Sequence, residues 1–126
     1  MVARQSKKLE SGFQKELMDD IRKMFPGCII QKLDPKYQQG IPDWLILFED
    51  RWAVLEAKRG IDEPAQPNQE WFIERMNSMS FGAFVYPENK EEVLHALQSA
   101  LQPRRKARVA KREQVPVVEL HTRSAA

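Results

Sequence analysis

The hydrophobic pattern divides the chain as far as Leu101 into three helices and four strands. Apolar residues recur at helical spacing over residues 9–25, where Pro26 and Gly27 interrupt the pattern, so an amphipathic helix is predicted there. Four short β-prone runs predict strands at residues 28–33, 43–48, 51–58 and 81–86. Two further apolar stripes predict helices at residues 68–79 and from Pro87 to about Leu101. The predicted order is αβββαβα, an α/β domain.

The last part of the chain has a different character. After Pro103 the apolar periodicity ends, and residues 103–113 contain six Arg or Lys residues against one acid, Glu113. Residues 103–126 are therefore predicted to be a basic, flexible tail, with residues 115–120 as a weak candidate strand. The 126 residues are 42% hydrophobic, which suffices for one domain, predicted at residues 1–102.

Composition excludes several classes of protein. Cys28 is the only cysteine and the chain has two histidines, so neither an intrachain disulfide nor a zinc site made wholly of Cys and His can form. No apolar run approaches the length of a membrane span, and the basic start lacks the apolar segment of a signal peptide. We expect a protein without a membrane partner, in the cytoplasm of a bacterial or phage-infected cell.

The second and third predicted strands carry charges where a buried hairpin should have few. A turn at Glu49 and Asp50 makes Asp43 and Glu56 directly opposed residues on one face of the hairpin, whereas another loop register would make them diagonal neighbours, still within reach of one cation. Two converging carboxylates are costly without a cation. An alternative is a purely structural hairpin, in which Asp43 caps the loop and Glu56 forms a solvated pair with Lys58.

The residues around this acid pair favour a hydrolytic site. Lys58 projects from the same face as Glu56, and the Ala57 carbonyl lies between them. Oxygen ligands from Asp43, Glu56 and Ala57 suit Mg²⁺ or Mn²⁺. A lysine beside such a metal can orient or help deprotonate an attacking water, which is the chemistry of phosphodiester cleavage.

Pro42-Asp43 followed by Glu56-Ala57-Lys58 resembles the PD-(D/E)xK nuclease superfamily. The order of elements, the Gly40-x-Pro42-Asp43 form and a glutamine after the following loop make the chain most similar to stand-alone virus-type replication-repair nuclease (VRR-NUC) domains, and more distantly to Holliday junction resolvases of phage and archaea. The resemblance implies a restriction-endonuclease-like core with a mixed sheet flanked by helices. It also implies dependence on Mg²⁺ or Mn²⁺, and hydrolysis of DNA to a 5′ phosphate and a 3′ hydroxyl.

The resemblance implies further site residues. In those families the first helix supplies an acid, which we assign to Glu10, with Glu16 in reserve. Gln14, one turn after Glu10, could brace the site or touch the phosphate. The family's glutamine maps onto Gln69, with Gln66 as a nearby competitor. The predicted catalytic set is then Glu10, Asp43, Glu56, Lys58 and Gln69.

The resemblance makes DNA the expected partner. Lys and Arg side chains supply most of the affinity for a DNA backbone. Besides Gln14, the candidate DNA contacts are basic residues and a polar loop close to the motif or in the tail: Lys36, Tyr37, Gln38, Gln39, Arg59, Arg104, Arg105 and Lys106. One small domain offers one site, so symmetric cleavage of two strands, as at a four-way junction, predicts a homodimer.

Several functions remain open at this point. The first is a metal-dependent endonuclease selective for branched DNA. Its rival from a different class is a DNA-binding protein that has the fold but no chemistry. Among enzymes, a restriction-type or repair-type endonuclease and an exonuclease are further alternatives.

Overall fold

The computed structural model describes the backbone of residues 2–102 and the side chains of residues 11–102. Three helices and four strands alternate in the predicted order. In chain order the elements are α1 (Val2–Met24), β1 (Ile29–Lys32), β2 (Trp44–Phe48), β3 (Arg51–Ala57), α2 (Gln69–Met79), β4 (Gly82–Val85) and α3 (Lys90–Leu101). The predicted tail and the candidate strand at residues 115–120 lie outside the described residues.

The four strands form one mixed sheet in the order β1-β2-β3-β4. The pairs β1–β2 and β2–β3 are antiparallel, whereas β3 and β4 are parallel. The turn at Glu49 and Asp50 pairs Phe48 with Arg51 and Trp44 with Leu55, as predicted from the hairpin register. Glu49 has a positive φ of 56°, which is unusual for a residue other than glycine but typical of tight hairpin turns. The mixed α/β architecture, with a sheet flanked by helices, is thereby confirmed.

The main hydrophobic core lies between the sheet and the helices α1 and α3. Alternate residues of β3, namely Ala53, Leu55 and Ala57, belong to this core. The fully buried large side chains of this core are Leu17, Ile21, Ile46, Leu55, Leu97 and Leu101. Burying each such side chain contributes about 1.5–3 kcal/mol before conformational entropy is subtracted. The opposite face of β3 carries Val54 and Glu56, and Lys58, directly after the strand, continues that face. Helix α2 packs on this face.

Helix α2 packs closely against that second face at a glycine. A Cβ atom on Gly82 would lie 3.0 Å from the carbonyl oxygen of Ile73 in α2 and 3.1 Å from the Val54 side chain. The absence of a side chain at Gly82 therefore lets α2 approach the β3 and β4 strands. This contact fixes the position of the helix, and Gln69 at its first turn is placed near the end of β3.

Two helix boundaries differ from the prediction. Helix α1 begins at Val2 rather than near Leu9. Residues 2–8 lack apolar periodicity, so the hydrophobic pattern did not predict a helix there. They are helical because they include good helix formers and neither proline nor glycine. Helix α3 begins at Lys90 rather than at Pro87. The Asn89 side chain accepts a hydrogen bond from Tyr86 N and donates one to the Phe84 carbonyl, so the chain remains a turn until Asn89.

No helix among the described residues is long and apolar enough to cross a membrane.

Candidate active site at the end of strand β3

Two carboxyl groups meet where β2 begins and β3 ends. Trp44 and Leu55 are Cα partners, so the next pair outward is Asp43 and Glu56. Asp43 Oδ2 accepts a hydrogen bond of 3.0 Å from the Ala57 amide, which orients the Asp43 side chain toward the end of β3. The Glu56 side chain is buried, with 4% of its surface exposed. Among the described residues, Glu56 Oε1 has no hydrogen-bond partner.

The environment of Glu56 opposes its ionisation. Burial, followed by the neighbouring Asp43 carboxylate, raises the pKa of Glu56 from 4.5 to about 8, although the positive charges of Lys58 and Lys32 act in the opposite direction. At neutral pH, and with no added cation, Glu56 therefore keeps its proton. A divalent cation at this position would favour the ionised pair instead.

Lys58 is held rigidly next to this acid pair. Its side chain is 4% exposed, and its ammonium donates to Gln69 Oε1 at 2.6 Å and to the Pro64 carbonyl at 3.3 Å. Glu63 lies 3.8 Å from the same ammonium. A buried ammonium needs such oxygen partners, because it cannot be desolvated alone.

Gln69 connects the lysine to the acid. Its Nε2 donates to Glu56 Oε2 at 3.1 Å, while its Oε1 accepts from Lys58 and, at 2.7 Å, from the Gln66 amide. The amide orientation that satisfies all three contacts has oxygen toward Lys58 and nitrogen toward Glu56. Gln66 contacts Gln69 through its backbone amide, so its side chain does not take the bridging role in this structure.

The donor set fits a hard divalent cation that keeps several other ligands. Among the side chains of residues 11–102, no group of three or more His, Cys, Asp or Glu could hold a metal ion. Asp43 and Glu56 alone would supply carboxylates, together with the Ala57 carbonyl. Mg²⁺ commonly binds through one or two carboxylates and completes its shell with water and phosphate oxygens. Glu56 Oε1, which has no hydrogen-bond partner among the described residues, is the oxygen of this pair that remains free to contact a cation.

The predicted helix acid cannot be placed at the side-chain level. Glu10 lies within α1, but its side chain is outside the described residues. The reserve candidate Glu16 is engaged elsewhere, since its Oε1 lies 2.7 Å from the Lys90 ammonium at the start of α3. Gln14 is half-buried and lines a cavity of about 280 Å³ whose wall includes Trp44, the residue after Asp43.

A second lysine stands on the solvent side of Asp43. Lys32 Nζ lies 3.5 Å from Asp43 Oδ1 and 4.7 Å from the centre of the Trp44 ring. Its side chain is 52% exposed, so its ion pair with Asp43 is accessible to water and weak. This ion pair therefore holds Asp43 only weakly.

The polar loop before Asp43 lies against the start of α2. Gly40 has a φ of +90°, and a Cβ atom there would lie 2.6 Å from Asn68 Cβ, so glycine is required both for the conformation and for the close approach. All four candidate contacts of this loop are exposed, Tyr37 to 91%: Lys36, Tyr37, Gln38 and Gln39. The loop therefore presents polar and aromatic side chains to solvent close to Gln69.

Glu63 is a site residue that sequence reasoning missed. Its Oε1 accepts from the Arg59 amide at 2.7 Å and from Arg59 Nε at 3.3 Å, and its other oxygen faces Lys58. Glu63 lies in a loop without periodicity, so no pattern in the sequence indicated its role. Arg59 is thus partly neutralised. Arg104, Arg105 and Lys106 lie outside the described residues.

The chain matches no protein-family model, no curated protein and no solved structure at a significant level. The site must therefore be interpreted from its own geometry.

Proposed function

We propose that this protein is a divalent-metal-dependent DNA endonuclease of the PD-(D/E)xK type, with a restriction-endonuclease-like core. The observation that carries the proposal is the convergence, next to Lys58, of Asp43 and a buried Glu56, one oxygen of which has no hydrogen-bond partner among residues 11–102. A structural hairpin would have no reason to bury an acid pair at this cost, because replacing a buried polar cluster with apolar residues is often neutral or stabilising.

Each residue has a distinct part in the proposed reaction. Asp43, Glu56 and the Ala57 carbonyl would hold Mg²⁺ or Mn²⁺. The metal, when bound, would lower the pKa of a bound water and offset the negative charge that develops on the phosphate. Lys58 would orient the attacking water or stabilise the transition state. Gln69 would keep Lys58 and Glu56 at a fixed separation, through bonds of 2.6 and 3.1 Å.

The substrate is proposed to be DNA, preferably branched DNA such as a four-way junction. Lys32 and Lys36 are exposed basic side chains near the acid pair, and the tail adds Arg104, Arg105 and Lys106. Such cations supply the phosphate contacts that bring a DNA backbone to the metal. The resemblance to VRR-NUC domains and to junction resolvases supports the choice of a branched substrate.

A homodimer is part of the same proposal. One domain has one acid pair, and resolving a junction requires two cuts related by twofold symmetry. Ile29 and Leu47 are Cα partners in the sheet, and both are exposed, to 59% and 37%. These apolar side chains are available for contact with a second copy.

The test is a cleavage assay with purified protein and labelled DNA in four forms: four-way junction, linear duplex, flap and single strand. Each substrate is incubated with Mg²⁺, with Mn²⁺ and with chelator. We expect metal-dependent cleavage that leaves a 5′ phosphate and a 3′ hydroxyl, with the junction cut fastest. Binding to DNA without cleavage under any metal condition would instead support the non-catalytic alternative.

A further inference from the structure

A cavity of about 390 Å³ lies beside Lys58, outside the acid pair. Its volume falls within the range of about 300–1,000 Å³ that is usual for small-ligand sites. Apolar and aromatic residues form much of its wall, namely Ile61, Ala65, Phe84 and Tyr86, and its polar side chains are Lys58, Glu63, Glu70 and Asn89. The proposed hydrolysis uses only Lys58 of this set, so the cavity calls for a separate explanation.

The cavity exists because α2 covers only part of the face from which Lys58 projects. Glu56 and Phe84 are Cα partners in the parallel pair, and the Lys58 amide donates to the Val85 carbonyl at 2.8 Å. Lys58 and Tyr86 therefore extend the face that carries Glu56 and Phe84. In front of the N-terminus of α2, the loop with Ile61 and Ala65 covers this face of the sheet in place of the helix. The space that remains has aromatic rings on one side and the loop on the other.

The charges of the cavity exclude a phosphate and favour hydrogen-bond donors. The Lys58 ammonium is already bonded to Gln69 and Pro64, and Glu63 is already bonded to Arg59, so Glu70 is the carboxylate of the cavity that is left for a ligand. The Asn89 amide is bonded on both sides, to Tyr86 N and to the Phe84 carbonyl. A ligand would therefore be planar and aromatic, to lie against the rings, and would donate hydrogen bonds to Glu70.

We propose that this cavity receives one unstacked nucleobase with an exocyclic amino group, from the DNA strand whose phosphate lies at Asp43 and Glu56. The inference rests on the proposed nuclease function and adds a base subsite to it. Adenine, guanine and cytosine have such an amino group, whereas thymine has none and its one donor to a carboxylate is the ring N3–H between two carbonyl groups. Carboxylates accept from amino groups, and aromatic side chains stack on any base.

Lys58 makes the connection between this subsite and the reaction. Its ammonium lies 5.8 Å from the centre of the Phe84 ring, and it is bonded through Gln69 to Glu56. A base in the cavity would thus lie directly against the residue that acts on the neighbouring phosphate. Enzymes that do chemistry on a base take it out of the stack and hold it between aromatic or apolar side chains, so a cavity lined in this way can hold an extruded base.

The test is an abasic scan of a cleaved strand, measured as single-turnover cleavage with Mg²⁺. Each nucleotide around the cut is replaced in turn by an abasic residue, and then by thymidine. We expect one position at which base removal slows cleavage about 5- to 150-fold, which is the stacking free energy of about 1–3 kcal/mol per base converted at 1.4 kcal/mol per tenfold. Thymidine should be disfavoured at that position relative to cytidine.

Protein variants tie the effect to the cavity. Tyr86→Ala removes one ring of the cavity. In this variant, the logarithm of the fold-change caused by base removal should be less than half of the wild-type value, because the two changes remove the same contact. Tyr86 is half-buried, so Glu70→Gln, an exposed change on α2, provides a second variant that will fold. It should reduce the discrimination between cytidine and thymidine. Glu74→Gln, one turn further along α2, is the matched control and should change neither result.

The outcomes separate the subsite from the function on which it rests. If DNA is cleaved but no position is sensitive to base removal, or if the sensitive position is unchanged in both Tyr86→Ala and Glu70→Gln, the base subsite is wrong and the nuclease proposal stands. If no form of DNA is cleaved under any metal condition, the nuclease proposal fails and the subsite fails with it.

Discussion

Replacing Glu56 by glutamine should stabilise the metal-free protein at high pH. Glutamine has the shape of a protonated glutamate, its oxygen can accept from Gln69 Nε2, and its amide group can donate to Asp43. The variant therefore retains the hydrogen bonds of the neutral Glu56 and removes the charge. Metal-free wild-type protein must either hold a proton at Glu56 or carry a negative charge there, buried beside the Asp43 carboxylate.

The sign follows from the two pKa values. The pKa of Glu56 is raised from 4.5 to about 8 by burial and by Asp43. Between these pH values the unfolded chain has lost the proton that the folded protein keeps, so the free energy of unfolding falls as pH rises. Below about pH 4.5 both states are protonated and the difference disappears. Above about pH 8 both are ionised and the full cost is present.

The magnitude follows from the same pair of values. One pKa unit corresponds to about 1.4 kcal/mol, so a rise from 4.5 to about 8 amounts to roughly 5 kcal/mol. Rearrangement of Lys32 and of water around the ionised pair reduces this cost. We expect the free energy of unfolding of Glu56→Gln to exceed that of the wild type by about 2–5 kcal/mol at pH 8.5 in chelator. At pH 5 the difference should be much smaller.

Urea unfolding followed by tryptophan fluorescence measures this difference at both pH values. The chain has three tryptophans, of which Trp44 and Trp52 lie in the sheet. Glu74→Gln removes an exposed carboxylate from α2 and serves as the control. Mg²⁺ should narrow the difference, because it binds the folded wild type and stabilises it by mass action, by about 2.7 kcal/mol at 100 times its Kd. Equal stability of wild type and Glu56→Gln at pH 8.5 in chelator would refute the interpretation of the acid pair.

Three further predictions concern function. Lys58→Met, which keeps the buried aliphatic stem, should lose cleavage by about 100-fold or more while retaining DNA affinity, and equal losses in single-turnover cleavage and in binding titrations would make Lys58 a phosphate contact instead. Deletion of residues 103–126 should lower DNA affinity and flatten its dependence on salt, at about 0.9 logarithmic units of slope per lost phosphate contact, with cleavage retained at saturating enzyme. An unchanged slope would contradict a DNA role for the tail. Light scattering at micromolar concentration should give a dimer mass, and junction DNA should compete better than its component duplexes. A monomer that nicks linear duplex equally well would contradict the resolvase-like substrate preference.

The hairpin was predictable because local pattern determines it. Two apolar runs separated by Glu49 and Asp50 leave one register that pairs the strands throughout, and this register brings Asp43 and Glu56 together. Element types were predictable for the same reason. Helix boundaries were less accurate: α3 begins three residues late because the Asn89 side chain bonds to the backbone at the end of β4, a contact that periodicity does not encode.

The parts that could not be predicted depend on loops and on distant contacts. Residues 60–67 have no periodicity, so neither the approach of Glu63 to Lys58 nor the cavity behind it had a signal in the sequence. Gln69 was assigned through the resemblance alone. Its bonds to Lys58 and Glu56 depend on how α2 is positioned by its contact with Gly82.

The most direct test of the central claim compares wild-type protein with Asp43→Asn on a labelled four-way junction, with Mg²⁺ and with chelator. Asparagine keeps an oxygen that can accept from the Ala57 amide, so the hairpin should fold as before while one metal-binding charge is lost. We predict cleavage by the wild type with Mg²⁺ only, and none by Asp43→Asn in either condition. Cleavage by Asp43→Asn at the wild-type rate with Mg²⁺ would contradict the assignment of this acid pair as the metal site of a nuclease.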